Sequence, residues 1–156
     1  MSAPLSRRQL RIGRSLAGLG LFARKPIKKG RYIARYSGRK LANDKADELN
    51  NKYLFELNNR WTIDGSSRRN LARYINHSCR PNAEVYFVRH VIKIRARRNI
   101  KAEEEITYNY GRDYLINVIT RRGCKCDKCR KKRGDARAKA RSPTSPAKPK
   151  KHGNKK

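Results

Sequence analysis

Short runs of alternating or β-branched residues recur along the first two thirds of the chain. RYIARY (31–36), YLFEL (53–57), RWTI (60–63), EVYFV (84–88), VIKIR (91–95) and EITYNY (105–110) place aromatic or branched side chains at partly alternate positions, the pattern of half-buried strands. Helical patterning is scarcer. Residues 43–52 open on Asn and Asp, both suited to N-caps, and predict one short helix, while 66–75 and 113–122 are weaker helical segments. Runs 84–88 and 91–95 predict a hairpin turning at Arg89-His90, a pair without the Asn-Gly or Asp-Gly turn signal, so its register stays open. No repeat of solenoid length is visible. The pattern predicts a mainly β domain with few short helices.

The 156 residues are enough for one domain and not two. Lys and Arg number 42 against 12 Asp and Glu, a net charge of +30. That charge is silent about fold but attracts polyanions, which makes nucleic acid or a nucleic-acid-bound protein an expected neighbour. Hydrophobic residues make up only 37%, and much of the deficit lies at one end. Residues 130–156 hold twelve Lys and Arg against one acid, Asp135, a net +11 of the +30, which leaves +19 for residues 1–129. This stretch has no apolar period and nothing to bury, so 131–156 is predicted to be a disordered basic tail, and 1–10 a flexible N-terminus.

No apolar run is long enough to cross a bilayer. Leu16–Ala23 is too short and too interrupted by glycine for a secretory core, although the acid-free stretch before Asp44 also has the composition of an organelle transit peptide. Of the four cysteines, Cys124, Cys126 and Cys129 fall within six residues. Such crowding suits a metal better than a disulfide framework and predicts an intracellular, reducing compartment.

The most specific local string is Asn76-His77-Ser78-Cys79-Arg80-Pro81-Asn82. Taken singly, its members are turn formers or structural residues. Nothing beside it forms the Ser/His/acid or Cys/His arrangement of a nucleophilic hydrolase.

The string resembles the NHSCxPN signature of SET-domain protein-lysine methyltransferases, and further segments follow in that family's order. Residues 15–23 (SLAGLGLFA) look like its opening motif. Ile27-Lys28-Lys29-Gly30 with Tyr36-Ser37-Gly38 is similar to the next strand and turn. Ile63-Asp64-Gly65 and residues 70–75 (NLARYI) lead into the signature, and residues 104–111 (EEITYNYG) are similar to the second signature. Cys124-Lys125-Cys126 with Cys129 looks like the post-SET zinc loop. An ordered match of this many segments over residues 11–130 is more specific than any one motif.

The resemblance implies a SET-domain β-clip-like fold of several small sheets with a knot-like C-terminal segment, the domain spanning 11–112 and the post-SET segment 113–130. It implies that Gly18, Leu19 and Gly20, with Arg73, Asn76 and His77, line S-adenosyl-L-methionine, the last two largely through backbone amides. Tyr110 is implied as the catalytic tyrosine, with Tyr36, Tyr74 and Tyr108 lining the lysine channel; at strand positions such tyrosines are equally half-buried β residues. Tyr108 falls where the family carries Phe or Tyr, and a hydroxyl there anchors a water in space that further methyl groups would need, so mono- or dimethylation is expected. Cys124, Cys126 and Cys129 are one thiolate short of structural zinc, and Cys79 supplies the fourth, as the family does; the other reading is unrelated thiols or a zinc-knuckle-like nucleic-acid contact. Three positions depart from the family pattern: Arg35 in place of Glu, Glu103 in place of a turn glycine, and a spacing of two residues before Cys129. Glu103 would cost about 1 kcal/mol if its φ is positive.

The expected reaction is methylation of a lysine on a DNA-associated or histone-like protein, in the nucleus or on a bacterial nucleoid. A free basic peptide would be repelled at long range by a body of about +19, whereas DNA would neutralise that repulsion. The tail is expected to bind phosphates without sequence preference, and with the family's pre-SET cysteines missing, N-terminal support is expected to be minimal or supplied by self-association. The rival reading is a non-enzymatic nucleic-acid-binding module on a degenerate SET scaffold.

Overall fold

The computed structural model describes residues 3–49, 51–114 and 124–141. Among these residues, ten strands form three small sheets. The first has the order β1(Leu10–Ser15)-β2(Gly18–Ala23)-β10(Glu105–Tyr108)-β7(Asn76–His77). The second is β3(Tyr32–Arg35)-β9(Val91–Ala96)-β8(Ala83–Val88), and the third β4(Arg39–Ala42)-β6(Trp61–Asp64)-β5(Leu54–Asn58). Each of the six predicted strand runs is present within a residue or two. Leu21, Ile33, Ile75, Ile94 and Ile106, each at most 1% exposed, belong to one apolar core. At about 25 cal/mol per Å² of apolar area, burial of such side chains drives three sheets too small to be stable separately to pack together.

Four strands lay outside the sequence prediction, each for an identifiable reason. β1 (LRIGRS) and β2 (GLGLFA) pair antiparallel from Leu10↔Ala23 to Ser15↔Gly18, but glycines and arginines dilute their alternation. β4 has only four residues, and β7 only two. β7 is held by its partner: Asn76 and His77 pair in parallel with Thr107 and Tyr108 of β10. A two-residue parallel strand has no local signal and exists only because the chain's two ends of the domain meet there.

The helices are shorter than expected. α1 covers Asn43–Asp47, and Ala42 occupies the N-cap position without a side-chain bond. Asn43 is diverted from capping: its amide donates to the Asn58 carbonyl and its carbonyl accepts from Thr62 Oγ1, tying the helix start to the third sheet. Within 66–75 only a 3-10 turn, Leu71–Tyr74, forms, because Asn70 is buried and donates to the Gly65 carbonyl at 3.1 Å instead of entering a helix. α2 is a single turn, Arg112–Tyr114; the rest of the segment predicted over 113–122 lies outside the described residues.

The region beyond Arg130, expected to be without structure, differs up to Arg141. α3 runs from Asp127 to Arg141. Ala, Lys and Arg are strong helix formers, and its first turn is anchored next to Cys126. Residues 142–156 of the predicted tail lie outside the described residues.

Candidate active site and cysteine cluster

A cavity of 1720 Å³ opens between the first sheet, the third sheet and the cysteine-rich segment. One wall is a row of aromatic rings. Tyr36 meets Phe55 with centroids 5.1 Å apart, Phe55 meets Tyr108 at 6.3 Å, Tyr108 meets Tyr110 at 4.7 Å, and Tyr110 meets Tyr114 at 5.3 Å. The row draws on four separate stretches of sequence, and β10 delivers its centre. Tyr36, Tyr108 and Tyr110 come together as expected. Tyr74 also lines the cavity, but its ring lies beside the Arg73 guanidinium at 5.3 Å, and no ring contact among the described residues joins it to the row. Phe55 and Tyr114 were not singled out in the sequence; Phe55 looked like an ordinary strand residue and Tyr114 fell in a helical segment.

Hydrogen bonds hold the phenols in place. Tyr110 Oη donates to the Ile75 carbonyl at 2.6 Å, and Tyr36 Oη to the Tyr53 carbonyl at 2.8 Å. Burial, reinforced by neighbouring tyrosines, pushes the phenols of Tyr36, Tyr108 and Tyr110 well above the usual tyrosine range. They are therefore neutral hydroxyls at physiological pH, not bases. With its proton committed to Ile75, the Tyr110 oxygen keeps its lone pairs as acceptors.

His77 connects this wall to the cysteines. Desolvation lowers its pKa, so the ring is neutral near pH 7. Nδ1 accepts the Tyr110 backbone N–H at 3.2 Å, which places the ring proton on Nε2, 3.3 Å from Cys79 Sγ.

The opposite wall is the turn between β1 and β2 together with residues 73–78. Gly18 has φ +118°, a conformation that L side chains rarely adopt, and a Cβ there would meet nothing within 4 Å. Its backbone is thus open to close approach by a flat ligand. Leu19, 55% exposed, lines the cavity beside it. Gly20 is buried and is not part of the lining; a Cβ at this position would lie 2.5 Å from Glu105 Oε1. Its bareness makes room for Glu105, which accepts from Ser15 Oγ at 2.9 Å and from Asn76 Nδ2 at 2.7 Å. Asn76 Nδ2 also reaches the Leu19 carbonyl at 3.1 Å, so the amide donor of its side chain is spent on the turn and on Glu105. Arg73 stacks its guanidinium 4.0 Å over the Tyr53 ring and donates to the Ser66 carbonyl. Its buried Nε has no partner, a donor available to a polar ligand group in the cavity it lines. Open backbone, aromatic surface and an unsatisfied donor together fit an adenosyl-sized ligand.

Glu105 and Asn82 are structural keystones that the sequence motifs contained without marking. Asn82, 2% exposed, donates to the Glu105 carbonyl at 2.7 Å and to Glu104 Oε1 at 3.0 Å, and accepts the Thr107 N–H at 2.8 Å. These bonds lock β10, and hence Tyr108 and Tyr110, against the signature segment.

The four cysteine sulfurs all lie within 4.8 Å of one another. Cys79 Sγ is 3.9 Å from Cys124 Sγ and 3.7 Å from Cys129 Sγ. A tetrahedron with metal–sulfur bonds of about 2.3 Å has edges of about 3.8 Å, so the donor set matches structural zinc. Desolvation and sulfur neighbours push Cys79 up to about 12 and Cys124 up to about 11. Cys126 is desolvated too, but hydrogen bonds involving the backbone of Cys79 and Cys129 and the neighbouring thiols bring it down to about 6. Four thiolates this close need a cation to coexist. α3 leaves directly from this cluster, with Arg130 N–H donating to the Cys126 carbonyl at 2.9 Å and Arg133 Nη2 to the Cys124 carbonyl at 2.6 Å.

The SET-domain family model matches residues 18–111, which contain both tyrosines of β10 and its end, the signature string and the Gly18 turn. This chain is a SET-domain protein. Its three small sheets are the β-clip-like arrangement the resemblance implied, and its four cysteines resemble a post-SET zinc-binding loop. Similar proteins include the Variant-silencing SET domain-containing protein of Plasmodium falciparum, 34% identical over 117 residues, covering 64% of this chain and 5% of that protein. The Probable histone-lysine N-methyltransferase set-23 of Caenorhabditis briggsae is 30% identical over 134 residues, 73% of this chain and 55% of its own length. Histone-lysine N-methyltransferase trithorax of Drosophila virilis is 33% identical over 129 residues, 73% of this SET-domain chain and 3% of its own length. The chain thus spans about half of set-23 and a small part of the other two.

Proposed function

We propose that this protein methylates the ε-amine of a protein lysine using S-adenosyl-L-methionine, with mono- or dimethyl-lysine as the main product. The observation that carries the reading is the Tyr110 hydroxyl, fixed on the Ile75 carbonyl in the aromatic row beside Tyr108, in a cavity whose other wall is the open Gly18 turn.

When bound, S-adenosyl-L-methionine supplies an electrophilic methyl group on a sulfonium. Gly18, Leu19 and the backbone of Asn76 and His77 would hold it, with the Arg73 Nε–H as a further donor. The chain's own residues supply orientation and exclude water. Tyr36, Phe55, Tyr108, Tyr110 and Tyr114 offer ring faces to the alkyl stem of a lysine and to its methylated ammonium. A lysine has a pKa near 10.4 in water, and a narrow apolar channel lowers it by penalising the charged form. Since the tyrosines are neutral and none is a base, the proton leaves before transfer, to solvent. Tyr110 Oη accepts from the amine and so aims its lone pair.

The cavity wall is nearly balanced in charge. Five carboxylates, Asp47, Glu56, Glu104, Glu105 and Asp127, stand there against six cations, on a chain of net charge +30. This local balance supports admission of a lysine despite the global repulsion. We take the substrate to be a DNA-associated or histone-like protein, in a reducing nuclear or nucleoid compartment where four thiolates persist. The Cys79, Cys124, Cys126 and Cys129 set would hold zinc.

The deciding experiment is calorimetry of S-adenosyl-L-methionine binding to the zinc-loaded full chain, beside methyl incorporation into histones and into the chain itself. Tyr110→Phe is expected to bind the donor as the parent does and to lose at least about 100-fold in transfer, the scale of one positioned hydroxyl. No binding by folded, zinc-loaded protein would leave the non-enzymatic nucleic-acid module as the reading.

A further inference from the structure

The β3–β9–β8 sheet turns Ile92, Ile94, Ala83 and Ala96 into the core, each at most 1% exposed. Alternation sends the intervening residues to its other face. The register sets them in two rows across three strands: Tyr32–Arg95–Glu84, and Arg35–Lys93–Tyr86. The aromatic rings carry cations on top. Lys93 Nζ lies 5.2 Å from the Tyr32 centroid and the Arg95 guanidinium 4.9 Å from that of Tyr86. Glu84 is the acid on this face and bonds Arg95 Nε at 2.7 Å, with both side chains 40% or more exposed. Exposed arginines continue the face's charge at both ends, Arg89 in the hairpin turn and Arg97 just past β9.

We propose that this outer sheet face docks duplex nucleic acid through its phosphates. Three features support docking of nucleic-acid phosphates, and the first of them favours a duplex over a single strand. The rings are covered by cations, so the face offers charge and not open stacking platforms, which single strands use. Lys93 and Arg95 are alternate residues, about 6.7 Å apart along the strand, comparable to successive phosphates on one nucleic-acid strand. Ring contacts pre-order both cations, lowering the entropy cost of binding. None of the six residues in the two rows lines the cavity, and the inference stands whether or not the protein transfers methyl groups.

The test is fluorescence anisotropy of the full chain with a 20-base-pair duplex over a salt series, comparing the parent with the triple variant Arg35→Gln, Lys93→Gln, Arg95→Gln. Each lost phosphate contact removes about 0.9 from the slope of log K against log salt, so a slope shallower by about 2–3 is expected. Glu84→Gln, which frees Arg95 and keeps the strand intact, is expected to tighten duplex binding severalfold at low salt. An unchanged slope in the triple variant with no gain in Glu84→Gln would overturn the proposal and assign binding to the other basic segments. Tighter binding of a 20-nucleotide single strand or of polyglutamate than of the duplex would overturn it as well.

Discussion

At the scale of single residues, the candidate site depends on hydroxyls and amides whose partners are fixed. Tyr108 lines the cavity next to Tyr110 while only 6% exposed. Replacing it with Phe removes a hydroxyl and leaves the ring, so the methyl count of the product is expected to rise; mass spectrometry under limiting enzyme checks this, and mostly trimethyl-lysine from the parent would contradict the assignment. Glu104 gives a pH prediction. Desolvation raises its pKa, but hydrogen bonds from Arg98, the Lys101 backbone and Asn82 outweigh it and hold the carboxyl at about 2, against 4.5 ordinarily. A lowered folded-state pKa adds stability above pH 4.5 that is lost as pH falls toward 2. Thermal melts should show Glu104→Gln about 1–2 kcal/mol less stable at pH 7, with a shallower acid dependence than the parent over that window. Glu103 does have a positive φ, 59°, and its carboxylate pairs with Arg11 at 2.6 Å, an exposed bond that offsets part of the backbone cost.

At the scale of elements, the hairpin shows sequence and structure in tension. β8 and β9 pair from Ala83↔Ala96 to Val88↔Val91, leaving a two-residue turn in which Arg89 has φ 45° and His90 φ 60°. A tight hairpin turn demands those angles, and the core-facing isoleucines of β9 pin the register although neither turn residue favours it. Arg89→Asn with His90→Gly is expected to stabilise the fold by about 1–2 kcal/mol, raising Tm by several degrees in calorimetry. The six strands legible in the sequence share aromatic or β-branched alternation; β1, β2, β4 and β7 lack it and form through pairing partners. Likewise Tyr108 of β10 and Tyr110 just past it were legible from the signature, whereas Phe55 and Tyr114 join the row only because the third sheet and α2 fold against it.

Across the whole molecule, the cysteine cluster is the point where the C-terminal segment meets the cavity. Cys79 comes from the signature, Cys124 and Cys126 from the segment leading into α3, and Cys129 from the first turn of that helix, and Cys124–Asp127 also line the cavity. His77 bridges Cys79 and the backbone of Tyr110, so loss of the metal should be felt at the site before the core unfolds. Chelation is expected to abolish methyl transfer and to speed proteolysis around residues 124–141. The denaturation midpoint reported by Trp61 fluorescence, from a strand of the third sheet, should change little. Full activity after stoichiometric zinc removal would refute the coupling.

What the sequence determined by itself was local: strand periodicity, the excess of charge, the crowding of three thiols and the ordered motifs that mark a SET domain. These are readable because each depends on residues close together in the chain. Tertiary structure alone decided how distant segments complete one another. It set the fourth sulfur within 4 Å of two others, turned Gly20 toward Glu105, aimed the Arg73 Nε–H without a partner, and laid cations over tyrosines on an outer sheet face. Such contacts follow from burial and strand register, which are collective properties of the packed chain and leave no trace in any short stretch of it.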